Sequence, residues 1–352
     1  MDESNKSFGE IEEILDDVDQ RFKQIKKLGM FYSPPYDHHF LRYNRNSKNM
    51  VSGTDFYQRI EKEWLLLGNN LPSSILVQSY EKRIDLMRAV IVGPPNTPYA
   101  HGLFFFDILF PSNYPDCPPR LHYLSYDVDS NQYLDPKGKV SLSLLECGSP
   151  LTNWYCNAQE KWNPWKSNIL QVLTAIQTSI LSTNLLNPNG GEDLQVSRNS
   201  EWLRYKKALT LTCKGMLYML RDPPINFHDF VKGYFRTTAH YILLNYRKQM
   251  DDSDVMFQLY HELYRAFERN GTYCKHHPLV VPTGVDLQAE EKTNNKGFFK
   301  DVTTILSNFN MAPKRRNQPA PHPEDPLGEH VSHAEFRAAF TTLAQPVATQ
   351  NK

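Results

Sequence analysis

Three runs rich in β-branched and aromatic residues, ILVQSYE (75–81), IDLMRAVIVG (84–93) and GLFFFDILF (102–110), lie almost end to end in this chain. Only Lys82 and Arg83 separate the first two, and the turn PPNTPYAHG joins the second to the third. A parallel crossover needs about a dozen residues or more, so connectors this short force successive strands into an antiparallel meander. A fourth short strand, RLHYLS (120–125), follows the proline-rich PSNYPDCPP.

Helical patterns flank the strands. Thr54 is a suitable N-cap for TDFYQRIEKEWLLLG, where Phe56, Ile60, Trp64 and Leu67 share a face and Gly68 offers a stop. Upstream, Ile11, Leu15, Val18, Phe22 and Ile25 recur at helical spacing and predict a short amphipathic helix or an arm that orders conditionally. The intervening FYSPPYDHHFLRYNRNSKN reads as irregular chain, with His38-His39 as packing or surface residues because no spaced partner ligand accompanies them. Behind the strands, a helix is expected from Asn163-Pro164 or Ser167, with Ile169, Val172, Leu173, Ile176 and Ile180 in one stripe until NPNGGED breaks it. Three more helices are expected. The first is NSEWLRYKKALTLTCKGMLYMLR, stopped by Asp222-Pro223-Pro224; INFHDFVKGYFRTTAHYILLNY is the second, with Phe227, Val231, Tyr234 and Ile242 aligned. The third is DVMFQLYHELYRAF, through Met256, Tyr260, Leu263 and Phe267. Beyond about Pro282 the Asn-, Lys-, Pro- and Gln-rich sequence predicts disorder, with one transient helix capped by Ser332-x-x-Glu335.

Bulk chemistry excludes several function classes. Lys+Arg and Asp+Glu balance at 39 each, which leaves no electrostatic case for nucleic acid or an anionic membrane. No apolar run of about 18 residues occurs, and the start MDESNKSFGE is polar and acidic, so neither a membrane span nor a secretory signal is expected. Five cysteines without a Cys-x-x-Cys pair predict an intracellular protein, in cytoplasm or nucleus, with no metal site and no cofactor.

From Tyr126 to Trp165 the chain loses regular periodicity and gains Gly, Pro, Asn and Trp. An irregular segment of this length inside a domain is uncommon and usually functional. At its centre is Pro136 followed by KGKVSLSLL.

A helix, a four-strand meander, a long irregular segment and then helices is an order that resembles the α+β ubiquitin-conjugating fold. FFFDILFPSNYPDCPPRLHY resembles that family's signature, in which a strand ends in Phe-Pro and Tyr-Pro-x-x-Pro-Pro leads into the last strand. Prolines there stiffen the exit from the sheet and withhold ladder donors. EKWNPWKSNILQVLTAIQ is similar to the family's tryptophan and the helix behind its active-site loop. GKVSLSLL resembles GKVCLSLL of the large, plant-like subgroup related to the phosphate-homeostasis conjugating enzymes. YDHHF, LPSSILVQSYEKRIDLMRAVIVG, NTPY and MLYMLRDPPINFHDFVKGYF extend that likeness over roughly residues 30 to 245. Their order along the chain makes the resemblance specific.

Four parts are expected along the chain: an N-terminal arm (1–50), a core that resembles the conjugating domain (51–190), a helical extension (191–282) and a mostly disordered tail (283–352). The resemblance implies ubiquitin, an activating enzyme, and a ligase or active conjugating enzyme as partners. The family's thioester cysteine falls at Ser141, and the asparagine that supports the oxyanion falls at Tyr133, after Asn131 and Gln132. A thiol, with a pKa near about 8.5, is both a good nucleophile and a good leaving group. A serine hydroxyl is neither without an adjacent base, and no His, Asp or Glu lies within three residues of Ser141. The expectation is an impaired conjugating-enzyme-like protein that acts as a binding or scaffold variant. The alternative is an active enzyme that transfers ubiquitin to lysine through Cys147, six residues further on, or through Ser141 itself. Cys156 lies further along the segment, and Cys117 reads as a small packed residue.

Overall fold

The meander forms as the connector lengths require, and it gains one strand and a second covering layer. The computed structural model describes residues 16–43, 54–125, 133–145, 161–182, 194–250, 254–275 and 277. In chain order its main elements are α1 (Asp17–Gln24), β1 (Leu28–Phe31), α2 (Asp55–Asn70), β2 (Ile75–Tyr80), β3 (Leu86–Val92), β4 (Leu103–Leu109) and β5 (Arg120–Tyr123). They continue with α3 (Ile169–Ala175), whose last turn widens into a π-helix over Ile176–Ile180, then α4 (Leu194–Arg221), α5 (His228–Gln249) and α6 (Asp254–Arg269).

The sheet has five strands in the order β1-β2-β3-β4-β5, not four. β2 to β5 pair antiparallel, with Val90 opposite Phe105 and Leu109 opposite Arg120. β1 adds a parallel edge, Leu28 opposite Val77 and Phe31 opposite Tyr80, which the long connection through α2 permits. Four residues, LGMF, carry too little pattern to announce a strand. Tertiary contacts hold them in place instead: the Lys27 ammonium donates to the Leu71 carbonyl at 2.7 Å, and Val77 N–H donates to the Lys27 carbonyl at 2.7 Å. Thr54 caps α2 as expected, its Oγ1 accepting from Tyr57 N–H at 3.2 Å. The helix runs past Gly68 to Asn70 and stops where Pro72 removes the next donor.

Both faces of the sheet are covered. Ala89, Ile91, Phe104, Phe106 and Ile108 face a core shared with Phe56, Ile60 and Leu67 of α2 and with Ile169, Val172 and Leu173 of α3. Val90, Leu103 and Phe105 face the other way, into a core with Met216, Phe235, Leu243, Tyr260 and Phe267 of α4, α5 and α6. Burial on both sides explains why the strands read as unbroken apolar runs rather than alternating ones.

The irregular YDHHF segment is pinned to the sheet by ions. Arg88 and Asp107 stand opposite each other on β3 and β4, both buried, joined by hydrogen bonds of 2.6 and 3.0 Å. Asp37 accepts from the same guanidinium at 3.0 Å, and His39 N–H donates to Asp107 Oδ2 at 2.7 Å. His38 Nδ1 accepts from Phe40 N–H at 3.3 Å, so Nε2 carries the proton and donates to the Met87 carbonyl at 3.0 Å. Burial holds the His38 pKa below its ordinary value, against the opposing pull of Asp107.

α1 is a docked helix. Asp16 caps it, accepting from the N–H groups of Val18 and Asp19. Phe22 lies so close to α5 that a Cβ on Gly233 would fall 2.3 Å from its Cγ. Arg21 pairs with Asp229 at 2.9 Å, and Arg236 pairs with Asp16 at 2.6 Å and Asp19 at 3.1 Å. Ile11 and Leu15, and the capped segment at Ser332 with the rest of the tail, lie outside the described residues.

Candidate functional site

The segment around Gly138 is a tight loop laid against the end of β5. Tyr123 N–H donates to the Gly138 carbonyl at 2.8 Å, and Ser125 Oγ donates to the Pro136 carbonyl. Gly138 N–H turns back to the Asp135 carbonyl at 2.8 Å, while Asp135 Oδ1 accepts from Lys137 N–H at 2.6 Å. The turn needs Gly138 at φ +88°, and a Cβ there would fall 2.0 Å from His122 Cε1. His122 is fixed in turn by stacking on His39, with ring centroids 3.5 Å apart and planes 5° from parallel. Through that pair the YDHHF segment buttresses the loop.

The two positions singled out in the sequence meet here. Leu134 and Val140 form a bridge and are both buried in the core shared with α2 and α3. Just beyond them Ser141 N–H donates to the Tyr133 carbonyl at 2.8 Å. An eight-residue spacing thus becomes direct backbone contact. Ser141 is exposed, at the mouth of a short 3₁₀ turn, Ser143–Leu145. The Tyr133 side chain is half-buried against the core. Among the described residues no histidine or carboxylate hydrogen-bonds the Ser141 hydroxyl.

A second set of contacts, absent from the sequence reading, supports the surroundings of this loop. Glu63 lies on the buried face of α2 with Phe56, Ile60 and Leu67, where Trp64 was expected; Trp64 is half-buried at its edge. The Glu63 carboxylate accepts from Tyr114 Oη at 2.7 Å and from Ile169 N–H, the first amide of α3, at 3.1 Å. It also pairs with Arg59 at 3.1 Å. Tyr114 heads the Tyr-Pro signature, joined to Pro115 by a cis peptide, and Trp162 Nε1 donates to the Pro115 carbonyl at 2.7 Å. Burial pushes the Tyr114 phenol far above its ordinary value, with the neighbouring Glu63 charge adding to the shift. One buried carboxylate therefore ties α2, the proline signature and α3 together. The signal in the sequence was the 56-60-63-67 spacing, with the acidic side chain on the apolar stripe.

Of the two tryptophans in WNPW, Trp162 is the structural one, and Trp165 is 92% exposed. α3 starts at Ile169 rather than at Pro164 or Ser167, because Asn168 and Gln171 form a reciprocal capping box. Cys117 is half-buried and its sulfur accepts from Asn113 Nδ2 at 3.0 Å. Cys213 and Cys274 are buried in the core under α4 to α6, and burial raises the thiol pKa of Cys274 to about 11. Cys147, Cys156, Asn131 and Gln132 lie outside the described residues. Among those residues, no helix is long and apolar enough to cross a membrane.

Residues 59–212 match the family model described as ubiquitin-conjugating enzyme. The chain is 42% identical over 211 residues to probable ubiquitin-conjugating enzyme E2 25 of Arabidopsis thaliana, covering 59% of this chain and 33% of that one. It is 40% identical over 215 residues to probable ubiquitin-conjugating enzyme E2 23 of the same plant, covering 59% of this chain and 18% of that one. With probable ubiquitin-conjugating enzyme E2 24, also from Arabidopsis thaliana, identity is 34% over 268 residues, 74% of this chain and 26% of that one. The chain thus spans a third or less of the length of these relatives.

Proposed function

We propose that this chain, whose residues 59–212 match the ubiquitin-conjugating enzyme family model, serves the ubiquitin pathway without forming the thioester. It acts there as a binding or scaffold variant of the plant-like subgroup. Its partners are ubiquitin together with a ligase or an active conjugating enzyme.

The observation that carries this reading is the exposed hydroxyl of Ser141, held by its backbone against Tyr133 and given no base by the described residues. Transfer from an activating enzyme requires a nucleophile that attacks one thioester and then leaves readily in the next step. A thiolate does both, whereas an unassisted hydroxyl stays protonated and attacks poorly. Tyr133 compounds the change. It has no side-chain amide to support an oxyanion, and losing one such donor typically costs about 10²–10³ in rate. Two parts of the mechanism are therefore altered while the scaffold under them keeps its hydrogen bonds. Moving the reaction to Cys147 would displace the nucleophile by six residues, where a misplacement of about 1 Å can already cost 10²-fold.

The test is incubation with activating enzyme, ubiquitin and ATP, followed by electrophoresis with and without reductant. No adduct is expected. A reductant-sensitive adduct that disappears in Cys147→Ala overturns the reading, and so does an alkali-labile one that disappears in Ser141→Ala.

A further inference from the structure

Three turns of α5 hold the segment that follows α6. The Lys232 carbonyl accepts from Asn270 Nδ2 at 2.9 Å, Arg236 Nε donates to the Asn270 carbonyl at 2.6 Å, and His240 meets His277 at 2.9 Å. Lys232, Arg236 and His240 are spaced by one turn each, so the segment lies along one side of the helix. Its Thr272, Cys274 and His277 are buried.

The last of these contacts differs in kind. It joins His240 Nδ1 to His277 Nε2, with ring centroids 5.1 Å apart and planes 21° from parallel. That separation is the nitrogen–nitrogen distance plus two ring radii, so the imidazoles lie side by side and share one proton near their common plane. A neutral imidazole offers one donor and one acceptor, whereas an imidazolium offers donors only. One ring must therefore keep a bare nitrogen. With both protonated, the contact becomes two N–H groups aimed at each other between like charges. His277 is only 5% exposed, so little water reaches the pair to screen them.

Elsewhere the segment is held incompletely. Asn270 Oδ1 and Thr272 Oγ1 are buried without a hydrogen-bond partner, and so is Tyr260 Oη in the core that Cys274 enters. Opening the segment to water would satisfy these groups. Among the described residues, α5 brings Arg236 to this side, paired with Asp16 and Asp19 of α1. α6 brings Glu268, Tyr260 and Tyr264, which interact electrostatically with Cys274. The loop before β4 brings His101, stacked on Tyr241, and the segment itself brings Lys275. None of these lifts the constraint, which the shared hydrogen bond sets by itself.

We propose that His240 and His277 form an acid-released clasp: their shared proton fastens the segment to α5 at neutral pH, and a second proton opens it and uncovers Cys274. The open state binds more protons than the clasped one, so opening is favoured as pH falls. A ring that refuses a proton when clasped and takes it at its ordinary pKa of about 6.5 when released makes opening about 30-fold more favourable at pH 5.0 than at pH 7.5.

Thiol labelling of the full chain with dithiodipyridine, resolved by peptide mass spectrometry, tests the clasp. Rates are divided by those of the urea-unfolded chain at the same pH, which cancels the thiol's own titration. Cys274 labelling should rise about 30-fold from pH 7.5 to pH 5.0, while buried Cys213 stays protected. In His277→Gln, whose amide holds His240 without titrating, the rise should vanish. No rise in wild type, or an equal rise in His277→Gln, overturns the proposal. A rise shared by Cys213 also overturns it, because the whole chain is then unfolding in acid. Deuterium exchange at the imidazole C2 reads the unaltered chain: one of the two rings should titrate below its ordinary value, and two rings titrating alike at that value would refute the clasp.

Discussion

Replacing Gly138 by alanine separates two costs that the structure places at one atom. The backbone sits at φ +88°, where an L side chain costs about 1–2 kcal/mol. The new Cβ would fall 2.0 Å from His122 Cε1 and 2.3 Å from its Nδ1, so the ring must move. Moving it breaks a stack with His39 at 3.5 Å, and an aromatic pair of this kind contributes about 0.5–1.5 kcal/mol. The sum is about 1.5–3.5 kcal/mol, read in urea or thermal unfolding as a fall in Tm of about 3–14 °C. The decisive control is the double-mutant cycle with His122→Ala, which removes the ring and leaves only the backbone cost, so the two changes should be less than additive. Additive losses would show that the ring does not oppose the added Cβ, and a Gly138→Ala loss below about 0.5 kcal/mol would show that neither the φ value nor the ring governs this turn.

Three further outcomes follow from groups buried around the site. Glu63→Ala removes the acceptor of Tyr114 Oη and of the first α3 amide, each costing about 1–3 kcal/mol when left unpaired; the fall in stability should be accompanied by a change in Trp162 fluorescence. Asp107→Ala leaves Arg88 buried with only the more exposed Asp37 opposite, and should lose about 3–5 kcal/mol by urea unfolding. His38, depressed by burial, favours the neutral ring in the fold, so its contribution is fully present above its ordinary value of 6.5. As pH falls below that value the unfolded chain takes up a proton that the folded chain refuses, and stability declines. The slope of unfolding free energy between pH 6.5 and pH 5 should flatten in His38→Gln.

Much of this fold could be read from local pattern. Thr54 announced its helix, the stripe from Ile169 to Ile180 is buried throughout, and the connectors around Lys82-Arg83 and PPNTPYAHG dictated the meander. β1 was not legible, because LGMF is held by pairing with β2 and by the Lys27 anchor rather than by its own propensity. Nor was the docking of α4 to α6 across the outer face of the sheet, although Phe104, Phe105 and Phe106 in succession required apolar partners on both sides. At the site, the eight-residue spacing of Tyr133 and Ser141 gave no sign of the backbone hydrogen bond that joins them, which depends on the turn at Gly138. Glu63 escaped notice because a glutamate in a helix is ordinarily solvated. Only the Tyr114 hydroxyl and the end of α3, distant in sequence, explain its burial.

The proposed loss of charging places the defect in the oxygen at residue 141 rather than in the scaffold beneath it. Intact-mass spectrometry of wild type and Ser141→Cys, after incubation with activating enzyme, ubiquitin and ATP, tests it most directly. No ubiquitin is expected on the wild-type chain, and a single reductant-sensitive ubiquitin is expected on Ser141→Cys. Ubiquitin on the wild-type chain, or none on Ser141→Cys, would contradict it.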